Sequence, residues 1–191
     1  MYFLKKKAPT LKIEGKQKAV DIGYKKLIVS SDKEFIGYFK IYEKISRKKQ
    51  GSKAFKRALI ERNELVNVSC KALNLTNVKK LFAEDLKNVK HKSKGKIHKK
   101  FNNRLQRWSY VKVLQKLTML CEEEGILFKK VPPQYTSQRC SCCGEIHKES
   151  RKNELFKCVS CNFESDADYN ASLNILHIGQ YGAYALQKPI L

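Results

Sequence analysis

Apolar and polar positions along the chain mark out a short series of elements. Residues 18–30, KAVDIGYKKLIVS, are apolar and β-branched and are interrupted by Asp21 and Gly23. That pattern predicts a strand, a brief kink and a continuing or paired strand. FIGYFKIY, residues 35–42, predicts a further strand. From Ser52 onward Phe55, Leu59, Leu65 or Val66, Ser69 and Leu73 recur at helical spacing, with Ser52 placed to cap the helix. VKKLFAED, residues 78–85, reads as a short buried strand ending in two acids. Residues 105–124 return to helical periodicity, with Trp108, Val111, Leu114 or Gln115, Thr118 and Cys121 in line and Gly125 as the stop. ILFKKV, residues 126–131, predicts a strand closed by Pro132 and Pro133, and residues 167–177 a helix ended by Gly179. The last dozen residues read as a poorly ordered tail. Strands mixed with helices in this order predict an α/β fold, a central sheet with helices packed on it.

Charge changes the picture. The 191 residues carry 40 Lys and Arg against 18 Asp and Glu, a formal net charge of +22. Residues 140–191 hold five basic and six acidic side chains, so the whole excess lies on residues 1–139. A field of this size favours a polyanion, and nucleic acid fits it better than an anionic membrane surface, because no basic amphipathic segment stands alone. Two runs carry much of the charge. Residues 44–57 hold seven Lys or Arg and no acid, among them Arg47, Lys48 and Lys49, and read as an exposed connection. Residues 86–107 hold Lys87, Lys90, Lys92, Lys94, Lys96, Lys99, Lys100, Arg104 and Arg107 and no carboxylate, and read as a loop that an anion would order. These are the candidate phosphate contacts. His91 and His98 in that loop read as solvated, and Trp108 and Tyr110 as packing residues rather than base-stacking ones. No apolar run approaches the ~18 residues of a membrane span, and the start, MYFLKKKAPT, lacks the apolar stretch of a secretory signal. The expected location is the cytoplasm, in association with nucleic acid.

Five of the seven cysteines fall between Cys140 and Cys161. Cys140 and Cys143, then Cys158 and Cys161, form two C-x-x-C pairs 14 residues apart. Two such knuckles let four thiolates meet around one structural Zn²⁺. Gly144 eases the first turn, and Cys142 is left as a spectator. A redox dithiol is the competing reading, and the second matched pair argues against it.

Acids are scarce, so their placement is informative. Asp21 lies in an apolar strand, Glu84 ends another, and Asp168 opens the helix after the second cysteine pair. Three carboxylates from distant positions could meet over one sheet and hold two Mg²⁺ or Mn²⁺ ions. Each also has a plainer reading: Asp168 as a helix cap, Glu84 as an edge acid paired with a lysine, Asp21 in a turn with Gly23. Asp85, Asp32 and Asp166 are competitors that spacing does not exclude.

AVDIGYKKLIV, FAEDL, the run VPPQYTSQRCSCCG with FKCVSCNF, and the closing DADYNASLNIL resemble the C-terminal half of the TnpB (OrfB) transposon-associated proteins, which are related to the type V CRISPR effector nucleases. The resemblance covers residues 18–179 and is most specific over residues 135–176. It implies an RNase H-like, RuvC-type mixed sheet with flanking helices and an inserted four-cysteine zinc ribbon. On that basis residues 18–134 and 164–179 form the nuclease domain, 135–163 the ribbon, 1–17 an N-terminal segment and 180–191 a tail. The family's catalytic acids fall by motif on Asp21, Glu84 and Asp168, its zinc ligands on Cys140, Cys143, Cys158 and Cys161, and Asn170 and Asn174 become helix residues that support the site. The activity implied is metal-dependent DNA cleavage. Full members carry a substantial N-terminal region that binds guide RNA, whereas about twenty residues precede Asp21 here. The expected partners are therefore DNA and a guide RNA or a separate guide-binding protein. The alternatives are a non-cleaving nucleic-acid binder, the nuclease subunit of a split complex, and a zinc-ribbon adaptor, which the charge of residues 1–139 fits poorly.

Overall fold

The computed structural model describes residues 9–38, 40–86 and 109–182. The basic stretch 87–107 and Trp108 therefore lie outside the described residues, as do residues 183–191 of the expected tail. No described helix is long and apolar enough to cross a membrane.

Five strands form a mixed sheet: β1 (Lys16–Asp21), β2 (Lys26–Ser30), β3 (Phe35–Tyr38), β4 (Val78–Glu84) and β5 (Leu127–Val131). Their order across the sheet is β3-β2-β1-β4-β5. The first three strands form an antiparallel meander, and β4 and β5 run parallel to β1. A parallel neighbour cannot be reached by a tight turn, so the chain leaves β3 through two helices, α1 (Ile41–Ser46) and α2 (Lys53–Ala72), before returning as β4. α3 (Tyr110–Glu123) leads into β5.

The sheet is covered on both faces, and the alternation of side chains along each strand shows how. Val20, Leu81 and Ala83 point to one face and pack with Val66 and Cys70 of α2 and Val113, Leu117 and Cys121 of α3. Ala19, Phe82 and Val131 point to the other face and pack against Ile175 and Ile178 of α4 (Ala167–Tyr181). Each large aliphatic or aromatic side chain buried this way contributes about 1.5–3 kcal/mol. Between β5 and α4 the chain makes a small three-stranded antiparallel sheet, β6 (Arg151–Lys152), β7 (Leu155–Lys157) and β8 (Glu164–Asp166).

The Ser52 cap is present: its hydroxyl accepts from the Phe55 amide at 3.1 Å, worth about 1 kcal/mol. Gly125 stops α3 at φ +66°, where an added Cβ would meet the Thr10 carbonyl. Two sequence expectations need correction. The strand expected over 35–42 ends at Tyr38, and Ile41, Tyr42 and Ile45 instead form the buried side of α1, where Tyr42 stacks on Tyr24 at 4.6 Å between ring centroids. The run 44–57 is accordingly the end of α1, a turn and the start of α2, with Arg47, Lys48 and Lys49 exposed. Gly179 does not end the last helix, which runs on to Tyr181 and stops at Gly182, φ +87°. Gly179 is a packing residue: a Cβ there would come within 2.4 Å of the Phe82 ring, so its lack of a side chain sets how closely α4 approaches β4.

Gly179→Ala tests that contact. An exposed helical site would gain about 1 kcal/mol from the change. Here the ring must shift, and the expected net loss is about 1–3 kcal/mol, read as a lower urea midpoint at unchanged slope. In a double-mutant cycle Phe82→Leu should relieve part of the loss.

Candidate active site

The β1–β4 register builds the site. Ala19 is opposite Phe82 and Val20 opposite Ala83, so the next pair along the two strands is Asp21 and Glu84. Both share the face of Ala19 and Phe82, the face that α4 covers. Asp168 sits in the first turn of α4. The three carboxylates line one cleft of about 590 Å³ together with Gly23, Tyr24, Pro133, Thr136 and Arg151.

Two of the competing acids are engaged elsewhere. Asp32 pairs with Lys16 at 2.7 Å and Lys18 at 3.1 Å. Asp166, not Asp168, caps α4: its carboxylate accepts from the amides of Asp168 at 3.1 Å and Tyr169 at 3.0 Å, and it also pairs with Lys26. Asp85 is not among the residues lining the cleft. Glu84 is not an edge acid, because β4 lies between β1 and β5.

Each acid is held by a different element. Glu84 accepts a hydrogen bond from the Thr136 hydroxyl, and its backbone carbonyl accepts from the Tyr110 hydroxyl, which itself accepts from the Leu86 amide at 2.8 Å. Asp168 accepts from Arg151 Nη2 at 2.8 Å and lies 3.7 Å from Lys26 Nζ. Burial pushes the Asp21 carboxyl well above the usual carboxylate range, the charges of Glu84 and Asp168 push it further, and Arg151 opposes them. Burial raises Glu84 too, against the Thr136 hydrogen bond and Arg151. A partly buried set of like charges with oxygen donors is what a hard divalent cation relieves, so the residues fit Mg²⁺ or Mn²⁺.

The small sheet carries the second metal-ligating cluster. Cys140, Cys143, Cys158 and Cys161 bring their sulfurs within 4.8 Å of one another, the only such group of His, Cys, Asp and Glu among the described residues. Cys140 and Cys161 are 3.7 Å apart, and Cys143 and Cys158 3.6 Å. A tetrahedral site with Zn–S bonds of 2.3 Å spaces its sulfurs about 3.8 Å apart, so the set fits one Zn²⁺. Cys142 is exposed and outside the set. Both knuckles fold alike: Gly144 and Asn162 follow the second cysteines at positive φ, and their amides return to the carbonyls of Cys140 and Cys158 at 3.0 and 3.1 Å.

Asn170 and Asn174, one turn apart on α4, tie the first knuckle to the helix that covers the five-stranded sheet. Asn170 donates to the Arg139 carbonyl at 2.8 Å and accepts from the Ser141 amide at 2.9 Å. Asn174 donates to the carbonyls of Thr136 and Arg139 and accepts from the fully buried Arg139 guanidinium at 2.9 Å. The asparagines therefore act through the backbone of residues 136–141, and Thr136 passes that order to Glu84. Sequence reading missed Thr136, Arg151 and Lys26. Thr136 sits in the T-S-x-x-C run, which could have flagged it; no local pattern marks Arg151 or Lys26, whose roles depend on where the ribbon folds back.

Residues 110–175 match the family model described as Cas12f1-like, TNB domain. The CRISPR-associated endodeoxyribonuclease Cas12f1 of Sulfoacidibacillus thermotolerans is 50% identical over 72 residues, which are 37% of this chain and 17% of that protein. The TnpB-like protein aq_aa05 of Aquifex aeolicus is 37% identical over 79 residues, 40% of this chain and 26% of that one. Among solved structures, the Cas12f1-sgRNA-target DNA complex matches with a TM-score of 0.58 and 25% identity, over 89% of this chain and 51% of that one. The chain thus corresponds to only part of each of these relatives.

Two outcomes are expected of the isolated chain. It should hold one zinc by elemental analysis; Cys143→Ser should lose it with a fall in Tm, and Cys142→Ser should keep both. Asp21→Asn should raise Tm at pH 7 with zinc bound and no other divalent metal added. The folded state holds the Asp21 proton more tightly than the unfolded chain does, so the penalty of ionising it is absent below the unfolded pKa of about 4. The penalty builds as pH rises above that value and is complete once pH passes the raised folded value. The gain should therefore vanish near pH 3.

Proposed function

We propose that the chain is the catalytic part of a metal-dependent DNA endonuclease, similar to the C-terminal portion of TnpB/Cas12f-like RuvC nucleases with their TNB domain. The carrying observation is that Asp21, Glu84 and Asp168, 147 residues apart at the extremes, line a single cleft. In this reading the three carboxylates hold two Mg²⁺ or Mn²⁺ ions. Bound there, such ions activate a water and stabilise the leaving 3′ oxygen of a phosphodiester. Thr136 keeps one Glu84 oxygen directed, and Tyr110 fixes the backbone that carries it. Lys26 and Arg151 hold Asp168 in place.

Substrate is delivered by charge. Lys40, Lys44, Arg47 and Lys48, with the one acid Glu43, line a second concavity of about 400 Å³ on α1, and Lys49 follows in the exposed turn. α1 is joined to the cleft by the Tyr24–Tyr42 stack, since Tyr24 also lines the cleft. These cations would follow the phosphates of a strand entering the site, together with the lysines and arginines of 87–107. The relatives' names include an RNA-guided DNA endonuclease, so a guide RNA, bound by this chain or by a separate guide-binding protein, is the partner proposed.

The test is cleavage of labelled single-stranded and duplex DNA with Mg²⁺ or Mn²⁺, with and without RNA co-purified with the chain. Metal-dependent cutting should disappear in Asp21→Ala and in Glu84→Gln. Glu84→Gln should bind DNA as well as or better than the unaltered protein, because one repulsive charge is gone. DNA binding without cutting in every arm would replace this reading with that of a non-cleaving nucleic-acid binder.

A further inference from the structure

The four thiols of the ribbon converge to the spacing of a metal site, yet the three carboxylates do not: among the described residues, no set of three acid oxygens lies within 4.8 Å. The acids already have cations beside them. Arg151 stands on β6 of the ribbon, its side chain about one-third exposed, and donates Nη2 to Asp168 Oδ1 at 2.8 Å. Asp168 is far less accessible, at 14%. Its other oxygen, Oδ2, is 3.7 Å from the buried ammonium of Lys26, whose hydrogen bond goes to Asp166. Arg151 thus makes the short contact to Asp168, and its charge also reaches Asp21 and Glu84.

We infer that Arg151 is the built-in counter-cation of the cleft, holding Asp168 towards the ribbon until a divalent cation takes its place. This rests on the reading of Asp21, Glu84 and Asp168 as the metal-holding set. Two consequences follow from its position. Arg151 weakens intrinsic metal affinity, because a cation must both enter the cleft and break an Arg–carboxylate pair. It also joins the two metal sites, since β6 sits beside the knuckles that the zinc organises, and β6 pairs with β7 through Arg151 and Phe156. Asp168 can be drawn to the ribbon because β8, the third strand of the small sheet, ends at Asp166, directly before α4, and the Ala167 amide bonds the Glu154 carbonyl at 2.9 Å. Lys25 and Glu154 pair across the same rim at 2.5 Å, so three ion pairs, Arg151–Asp168, Lys26–Asp166 and Lys25–Glu154, hold the small sheet at the mouth of the cleft.

The experiment is Mn²⁺ binding to the full, zinc-loaded chain without nucleic acid, followed by the EPR signal of free Mn²⁺. Arg151→Gln should tighten Mn²⁺ binding by about tenfold, as expected for removing a unit charge a few ångströms from the site. Arg151→Lys, which keeps the charge, should stay near the unaltered protein, and Asp168→Asn should weaken binding. Equal or weaker binding by Arg151→Gln, with Asp168→Asn still weakened, overturns the counter-cation role alone. Unchanged binding in Asp168→Asn overturns the three-acid reading beneath it. A second measurement needs no variant: Mg²⁺ titration of the unaltered protein should shift the Arg151 side-chain Nε–H signal and speed its exchange with solvent, and a signal that stays fixed to saturation overturns the proposal.

Discussion

The parallel pairing of β1 with β4 is the constraint on which the rest of the molecule depends. In a strand, successive side chains point to opposite faces, so a one-residue slip would send every residue of β4 to the wrong side. Phe82 would leave α4, and Glu84 would point among the apolar side chains that α2 and α3 cover. The observed register prevents this, because Leu81 and Ala83 fill one core and Phe82 the other. The apolar pattern thereby sets the position of the two acids that end the strands. Gly179 completes the arrangement by letting α4 close onto Phe82, which brings Asp168 to the same cleft.

The cost of the arrangement is electrostatic. Carboxylates gathered over a half-buried sheet repel one another and lose hydration. The protein answers with cations from outside the sheet's centre. Arg151 comes from the ribbon and Lys26 from β2. Thr136 supplies a neutral donor to Glu84, and its own backbone is held by Asn174. The cleft is therefore assembled from the sheet, α4 and the ribbon together, and none of the three elements holds it alone. Elsewhere the same need is met locally: Lys18, fully buried, bonds to Glu34 and to the Asn74 carbonyl at 2.9 Å, and lies 3.1 Å from Asp32, which keeps those acids away from the cleft.

The ribbon has two tasks in this structure. Its cysteines draw together two knuckles whose core is a small cluster around Phe156 and Ala167, and a structural metal is the usual remedy in so small a unit. Around that cluster, Arg139, Asn170 and Asn174 form a buried polar network in which the groups satisfy one another. Such a network tolerates few alternatives, since breaking one member leaves a buried charge without its partner. It fixes where residues 136–141 lie, and with them Thr136.

Much of this was legible in the sequence by itself. Period-two and period-3.6 patterns, a capping serine and paired cysteines are local signals, each written within a few residues, so the core strands β1, β2 and β4, the helix after Ser52 and the four-cysteine cluster could be read directly. The motifs around Asp21, Glu84 and Asp168 pointed to the three acids, although composition alone could not separate them from Asp32, Asp85 and Asp166. Tertiary structure gathers Asp21, Glu84 and Asp168 into one cleft and pairs Asp32 and Asp166 with lysines, an outcome that depends on which face a residue shares and which cation stands beside it. It also decided that Ile41 to Ser46 coil rather than extend, since Tyr42 finds Tyr24 to stack on, and that Gly179 lies within a helix, since Phe82 occupies the space a side chain would need. Arg151 belongs wholly to the second kind: a single basic residue in a short strand carries no local mark, and its meaning comes from the fold that sets it against Asp168.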